Sequence, residues 1–439
     1  KNSLPRAVLN LTGGSYSMPD SSTLWNSTYS DALGRPVTQI AAGGLVTRNT
    51  YGIEALIIAG VTANYQLTTT IEEAEEPENN VITKNYSDAS GRLIAVVPAE
   101  GNRSVYTYDA MDRLTHVDQV RSDTLATFAT TILSYDLAGR KIQMNDPAMG
   151  VWEYTYDATG NLVFQKNVDN KNTCLYYDSA NRLKGKIYIG ENASCERNAQ
   201  VFTVKYTYDA GTDGKGQRTG MVDSTGETTW TYNELGLVKT EQRVINQLPA
   251  GSNTFTQTFD YDDSGAMTAL TYPDGEEVTT AYYPNGQPKG LASTLGDTFV
   301  ANVQYDALGR KTSVSYGNGL KSAYTYFTWG STDTENNGKL SEVKLTNSQD
   351  DSLFKQSFTG YDQAGNILEM ALETENSGAQ TITFSYDLLY RLRTASASGG
   401  SIPGYDLSYT FDPTGRIQSV TKGGVTSNYL YDDSAGHST

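Results

Sequence analysis

Short stretches in which apolar or aromatic residues alternate strictly with polar ones recur along the chain, separated by clusters of Asp, Asn and Gly. Trp152–Asp157 reads WEYTYD, Val204–Asp209 reads VKYTYD and Leu407–Asp412 reads LSYTFD. GRKIQM and GNLVFQ follow two of the clusters. Period-two alternation places successive side chains on opposite faces of an extended strand, and Asp, Asn and Gly supply reversals. The pattern predicts strand, tight turn, strand, over and over.

The reversals share one phrase: aromatic, Asp, any, any, Gly, Arg or Asn, apolar. It reads YDLAGRKI from Tyr135, YDATGNLV from Tyr156, YDALGRKT from Tyr305, YDQAGNIL from Tyr361 and FDPTGRIQ from Phe411. Looser copies begin at Tyr108, Tyr177, Tyr232, Tyr261 and Tyr386, and weaker ones at Tyr51, Tyr208, Tyr283 and Tyr326. Copies from Tyr29 and Tyr86 carry one extra residue, and the last, from Tyr431, breaks off at the end of the chain. The unit is about 21–25 residues, room for two strands and two connections. A lone hairpin is unstable in water, so each unit must pair with the next.

Asp first and Gly fourth is the chemistry of a type I turn followed by a left-handed residue, which gives a bulged hairpin. The turn residues expected on this basis are Tyr108 with Asp109; Tyr135, Asp136, Gly139 and Arg140; Tyr156, Asp157 and Gly160; and Tyr177 with Asp178. The series continues with Tyr305, Asp306, Gly309 and Arg310; Tyr361, Asp362 and Gly365; and Phe411, Asp412, Gly415 and Arg416. Asp112 and Asn181 stand in for Gly, as Asp and Asn tolerate left-handed backbone. Tyr390 does not suit that site, and a different turn is expected there. Equivalent Tyr residues should stack in register as sheet-stabilising ladders, with each Arg covering the ladder or pairing with an Asp. An aromatic platform for sugars is the minority reading.

Composition supports an all-β chain with much exposed sheet: 31 Tyr against 11 Phe, 41 Gly, and 38% hydrophobic residues in 439. The net charge of −17 disfavours nucleic acid and anionic lipid as partners. The longest apolar run, Ala55–Ala59, is too short for membrane insertion. The chain opens KNSLPRAVLN, with neither Met nor a long apolar leader, and is expected to be a processed or excised piece.

Candidate chemistry is sparse. Two His and two Cys in the whole sequence disfavour a multi-ligand transition-metal site. Asp260–Gly265 resembles the start of a calcium loop, but position twelve is Thr271 and the segment coincides with a repeat turn. His116 and His437 have no Ser or Cys partner in a recognisable motif, and Gly211–Gly216 is a loop expansion rather than a phosphate cradle. No catalytic, cofactor or metal site is expected. Cys174 and Cys195 lie one repeat length apart, either as free buried thiols or as a disulfide. Insertions are expected at Glu72–Glu78, Gly211–Gly220 and Gly330–Gly338.

The iterated YDxxGR/N phrase resembles the YD repeat, also called the Rhs repeat, from about Tyr29 to Asp432. The resemblance implies a long antiparallel sheet of hairpins that spirals into part of a hollow shell. Shells of this family enclose a toxic domain in bacterial insecticidal toxin complexes and Rhs toxins. In teneurins they form an extracellular scaffold. Bacterial members end in a self-cleaving plug with Asp beside a DPxG-type motif. Here Asp412-Pro413-Thr414-Gly415 sits inside a repeat turn with another repeat after it, and Asp146-Pro147 is followed by Ala-Met-Gly. The self-cleaving end and a following toxin domain are therefore expected to be absent.

The expected organisation is a segment 1–28 continuing the sheet, the repeat sheet over 29–432 and a ragged tail 433–439. The expected role is a secreted or cell-surface, non-enzymatic shell around a polypeptide cargo, or part of one completed by further repeats of its parent chain. The alternatives are an extracellular interaction scaffold contacting other proteins and, less favoured, glycan binding.

Overall fold

The computed structural model describes residues 2–3, 25–41, 45–73, 80–168, 172–191, 193–196, 199–328, 336–375, 377–399, 406–412, 415–432 and 437–438. Most of the segment 1–28 and of the tail 433–439 lies outside these residues. So do Ala74–Asn79 of the acidic insertion and most of the insertion expected at Gly330–Gly338. Glu72 and Glu73 themselves belong to a strand. Every described element is a β-strand or a connection between strands. The chain divides into two compact units. One comprises Lys1–Thr131, Gln304–Val314 and Leu320–Thr439; the other comprises Ile132–Val303 and Ser315–Gly319.

Within each unit strands pair antiparallel with their sequence neighbours. In the second unit Gly150–Tyr156 pairs with Leu162–Lys166, which pairs with Asn172–Tyr177 and so on. The register slips by one residue just before each repeat turn, between Thr155 and Tyr156 or between Thr107 and Tyr108. That slip is the bulge that accompanies a left-handed residue at the turn. Gly139, Gly160 and Gly309 hold φ of 81°, 94° and 79°, and Asp112 and Asn181 hold 60° and 59°.

The first unit departs from the uniform hairpin at Tyr51. The weak copy expected there makes no turn: Val46–Ile58 runs straight through, pairs along its length with Val61–Glu73, and reverses only at Ala59-Gly60. Both turn residues have positive φ, 49° and 80°, as a two-residue hairpin of matching twist requires. Gly52-Ile53-Glu54 follows Tyr51 where other copies place Asp, so nothing local stops the strand.

This long hairpin forms an arm whose Leu56 packs into a cluster with Tyr86, Ala95, Val105 and Val120. A second cluster, Phe358, Tyr361, Met370, Leu372 and Ile382, lies on Ser352–Tyr361 and the two strands that follow. Most other sheet positions are only half-buried, which is why 38% hydrophobic content suffices.

Candidate functional site

The chemistry of this chain is concentrated in its turns, and one wiring recurs in the complete copies of the phrase, whereas in the expanded copy at Tyr208 the Asp209 amide donates to the Gln217 carbonyl eight positions on. The Asp amide donates to the carbonyl of the residue four positions on, as from Asp136 to Arg140 at 2.9 Å, and the Gly139 amide returns to the Asp136 carbonyl at 3.0 Å. The Asp136 carboxylate accepts from the Ala138 and Arg140 amides, both at 2.9 Å, and from Arg140 Nε at 2.6 Å. Asp109, Asp178, Asp306 and Asp412 hold Arg113, Arg182, Arg310 and Arg416 in the same way. Asp157 and Asp362 hold Asn161 and Asn366 instead.

Several of these tethered guanidinium groups then cover an aromatic ring of a later repeat. Arg140 stands 4.9 Å from the Tyr156 ring centroid, Arg310 4.0 Å from Tyr326 and Arg391 4.4 Å from Phe411. The Tyr rings are fixed at their other end. Tyr156 donates to the Lys141 carbonyl at 2.9 Å, Tyr108 to Leu93 at 2.9 Å, Tyr177 to Leu162 at 3.0 Å and Tyr361 to Leu340 at 2.7 Å. The accepting carbonyl in each case belongs to the residue after the Arg, Asn or Lys of the earlier turn. A full link combines a cation–π contact of about 0.5–1 kcal/mol with a hydrogen bond of about 0.5–1.5 kcal/mol. Phe lacks the hydroxyl, which accounts for the preference for Tyr over Phe in the composition.

Several expectations need correction. At Tyr29 and Tyr86 the turns start at Asp31 and Asp88, so the extra residue moves Ser30 and Ser87 into the ladder position. Tyr86 points elsewhere and donates to Glu54 at 2.9 Å. Tyr51 does occupy the ladder, beneath Arg35 at 4.1 Å and bonded to the Pro36 carbonyl at 2.8 Å, although no turn follows it. Around Tyr283 the ladder residue is Tyr282, bonded to the Met267 carbonyl, and the Tyr283 amide takes the Asp place in the turn. Tyr390 does not change the turn type. It adopts φ of 60°, its amide donates to the Asp387 carbonyl at 2.9 Å, and Arg391 remains bound to Asp387. Left-handed backbone costs a non-glycine residue about 1–2 kcal/mol. The Tyr390 hydroxyl donates to Glu72, and the neighbouring Leu388 amide donates to Glu100 at 3.1 Å.

The carboxylates are turn acceptors electrostatically as well. Hydrogen bonds from the Thr159 hydroxyl and from Asn161 outweigh desolvation and hold Asp157 down to about 2. Asp262, in the calcium-like segment, accepts from the Ser264 amide, the Ser264 hydroxyl and the Ala266 amide. Its carboxyl is lowered, with the Ser264 hydroxyl as the largest cause. His116 lies mid-strand opposite Thr107, 3.1 Å from the Thr115 hydroxyl. Among the described residues no group of three or more His, Cys, Asp or Glu could hold a metal ion. Cys174 and Cys195 are bonded to each other, with Cα atoms 5.7 Å apart.

Two groupings were not read from the sequence. One is at the arm, where Glu54 accepts from Lys84 at 3.0 Å and from Tyr86, and where buried Arg103 donates to the Ile57 carbonyl at 2.7 Å. Burial first, then Glu54, pushes the Tyr86 hydroxyl up to about 12. The other is the segment between Leu183–Ile189 and Val204–Tyr208, where Phe202 rests on Gly185. A run of five apolar residues before Gly60 was the available signal for the first; the Cys174 and Cys195 spacing was the only one for the second.

Residues 88–124 match the RHS repeat family. No curated protein matches the sequence. Among solved structures, the crystal structure of TcdB2-TccC3 without its hypervariable C-terminal region superposes with a TM-score of 0.75 at 17% identity, over 94% of this chain. The Photorhabdus luminescens Tc holotoxin pore gives 0.73 at 17% identity over 94%, and TcdB2-TccC3-Cdc42 gives 0.72 at 18% over 92%. This chain spans 22% of each of those chains. Identity at this level carries the fold, and the turn wiring carries the repeat. Residues 88–124 thus carry an RHS repeat, and the chain has the fold of the TcdB2-TccC3 structures.

Proposed function

We propose that this chain is a length of structural wall in a secreted shell that encloses a polypeptide cargo. The observation that supports it most is the turn ladder: the recurring Asp, Arg and Tyr side chains are engaged in linking one hairpin to the next. A non-enzymatic role belongs to the same reading. The disulfide supports an oxidising, extracellular setting, where such bonds persist. Likeness in fold to TcdB2-TccC3 structures supports a shell over a solid domain.

Small-angle scattering tests the wall. A monomer with a radius of gyration above the compact expectation of about 22 Å for this length agrees with it, and a value at or below that, with no low-density interior, rules it out. Protease treatment of the intact parent protein tests the cargo. An internal segment should survive as long as the shell is folded and be digested once acid or denaturant opens it. Equal digestion of that segment in folded and unfolded protein would remove the cargo while leaving the wall.

A further inference from the structure

The hairpin Asn172–Tyr177/Leu183–Ile189 is well paired within itself and poorly paired to its surroundings. Its own register runs from Asn172↔Ile189 to Tyr177↔Leu183. Towards the preceding strand it is matched, among the described residues, at Phe164↔Cys174 and Gln165↔Thr173. Towards the following strand it is matched only at Gly185↔Lys205 and Lys186↔Val204. Short ladders leave a hairpin prone to local opening.

The connection between Ile189 and Val204 forms a strap against this hairpin. Asn172 Nδ2 donates to the Gly190 and Glu191 carbonyls at 3.2 and 3.3 Å. Cys195 is bonded to Cys174. The Phe202 ring meets Tyr176 at 5.3 Å between centroids and fills the space above Gly185, where a Cβ would stand 2.3 Å from it. The strap leads directly into Val204–Tyr208, so pinning it also pins the register of that weakly matched strand. The disulfide uses both cysteines of this sequence.

We propose that Cys174–Cys195 is a redox clasp: oxidised, it locks the strap on the hairpin; reduced, it releases the strap and loosens the sheet there. The geometry sets the course of the reduction. Cys174 is fully buried and Cys195 is half-buried, so an external dithiol attacks the more accessible Cys195 Sγ. The S–S bond breaks, a mixed disulfide forms on Cys195, and Cys174 leaves as a thiolate that takes up a proton. The second thiol of the reductant then displaces Cys195, which becomes a thiol while the dithiol closes to its own disulfide. Two electrons pass to the protein and none is left over. The clasp does not depend on the cargo reading, since it concerns the stability of this hairpin alone.

The test is hydrogen exchange of the full chain in non-denaturing buffer, with and without dithiothreitol, with free thiols counted by alkylation. Reduction should speed exchange in Asn172–Tyr177 and Val204–Tyr208 on the order of a hundredfold, and leave Glu277–Tyr282 and Arg103–Tyr108 unchanged. The double variant Cys174→Ser, Cys195→Ser should exchange like the reduced protein and ignore dithiothreitol. Should that variant fail to fold, Phe202→Ala keeps the bond and should be reduced several-fold faster than the parent. Two free thiols with unchanged exchange would overturn the clasp, as would loss of protection throughout the chain at once.

Discussion

The arm of the first unit and the strap of the second solve one problem in different ways. Both cover part of a repeat hairpin that would otherwise be wet. The arm, Val46–Ile58 with Val61–Glu73, is regular, satisfies its backbone with its own ladder, and holds on by burying Leu56 and by the Glu54 contacts. The strap has no strand among its described residues and holds on through a covalent bond, one aromatic ring and the Asn172 hydrogen bonds. Regular structure can bring enough apolar side chains to one face to be held by burial. A short irregular segment cannot, and a cross-link replaces the missing area.

Removing the apolar anchor should affect the arm most. Leu56→Ala should destabilise the first unit by about 2–5 kcal/mol, read as a lower urea midpoint, while exchange beneath the strap stays as in the parent. An equal loss in both regions would break the comparison. Tyr390→Phe should cost about 0.5–1.5 kcal/mol, because it keeps the left-handed strain and loses the bond to Glu72 at the base of the arm. Exchange at Thr70–Glu73 would show it, and no change there would mean that the hydroxyl contact is idle.

The two covers should also answer to different solution conditions. The Glu54 carboxyl is lowered, first by the Lys84 hydrogen bond and then by Tyr86. A depressed carboxyl contributes stability that is present above its unfolded value, about 4.5, and lost as pH falls through the lower folded value. Tyr86 is raised, so its contribution is present below pH 10 and lost as pH rises towards about 12. The arm should therefore loosen slightly in acid and ignore dithiothreitol, and the strap should ignore acid and answer to dithiothreitol. Glu54 is well exposed, so its acid-side effect should stay below about 1 kcal/mol. Nuclear magnetic resonance of Leu56 and Phe202 across pH would separate them; parallel shifts in both would count against the distinction.

The smallest effects belong to what the two regions share. Asp88 and Asp178 hold Arg92 and Arg182 alike, and those arginines reach on to Asp112 and Asp209. Asp88→Ala and Asp178→Ala should each speed exchange at their own turn, by amounts within a factor of about three of each other. A large asymmetry would mean that the cover, not the turn, sets local stability.

The turns were legible because their causes lie within five residues. Asp136 reaches Ala138, Gly139 and Arg140 through bonds that any Asp-x-x-Gly-Arg can make, and the pairing of neighbours follows from the unit's length. The phase was less legible: at Tyr29, Tyr86 and Tyr283 the aromatic named the copy but not the ladder position, because the turn is registered on the residue that starts it. What the aromatic does beyond its own turn depends on a partner far along the chain. Tyr390 reaches Glu72 from a left-handed turn position, Tyr86 leaves the ladder and bonds Glu54, and Tyr51 keeps the ladder without a turn. The bond between Cys174 and Cys195 was one of two open readings, since spacing says nothing about whether a connection folds back over its strand. Local hydrogen bonding is written in adjacent letters; burial and cross-linking depend on which faces meet, and only the tertiary structure decided that.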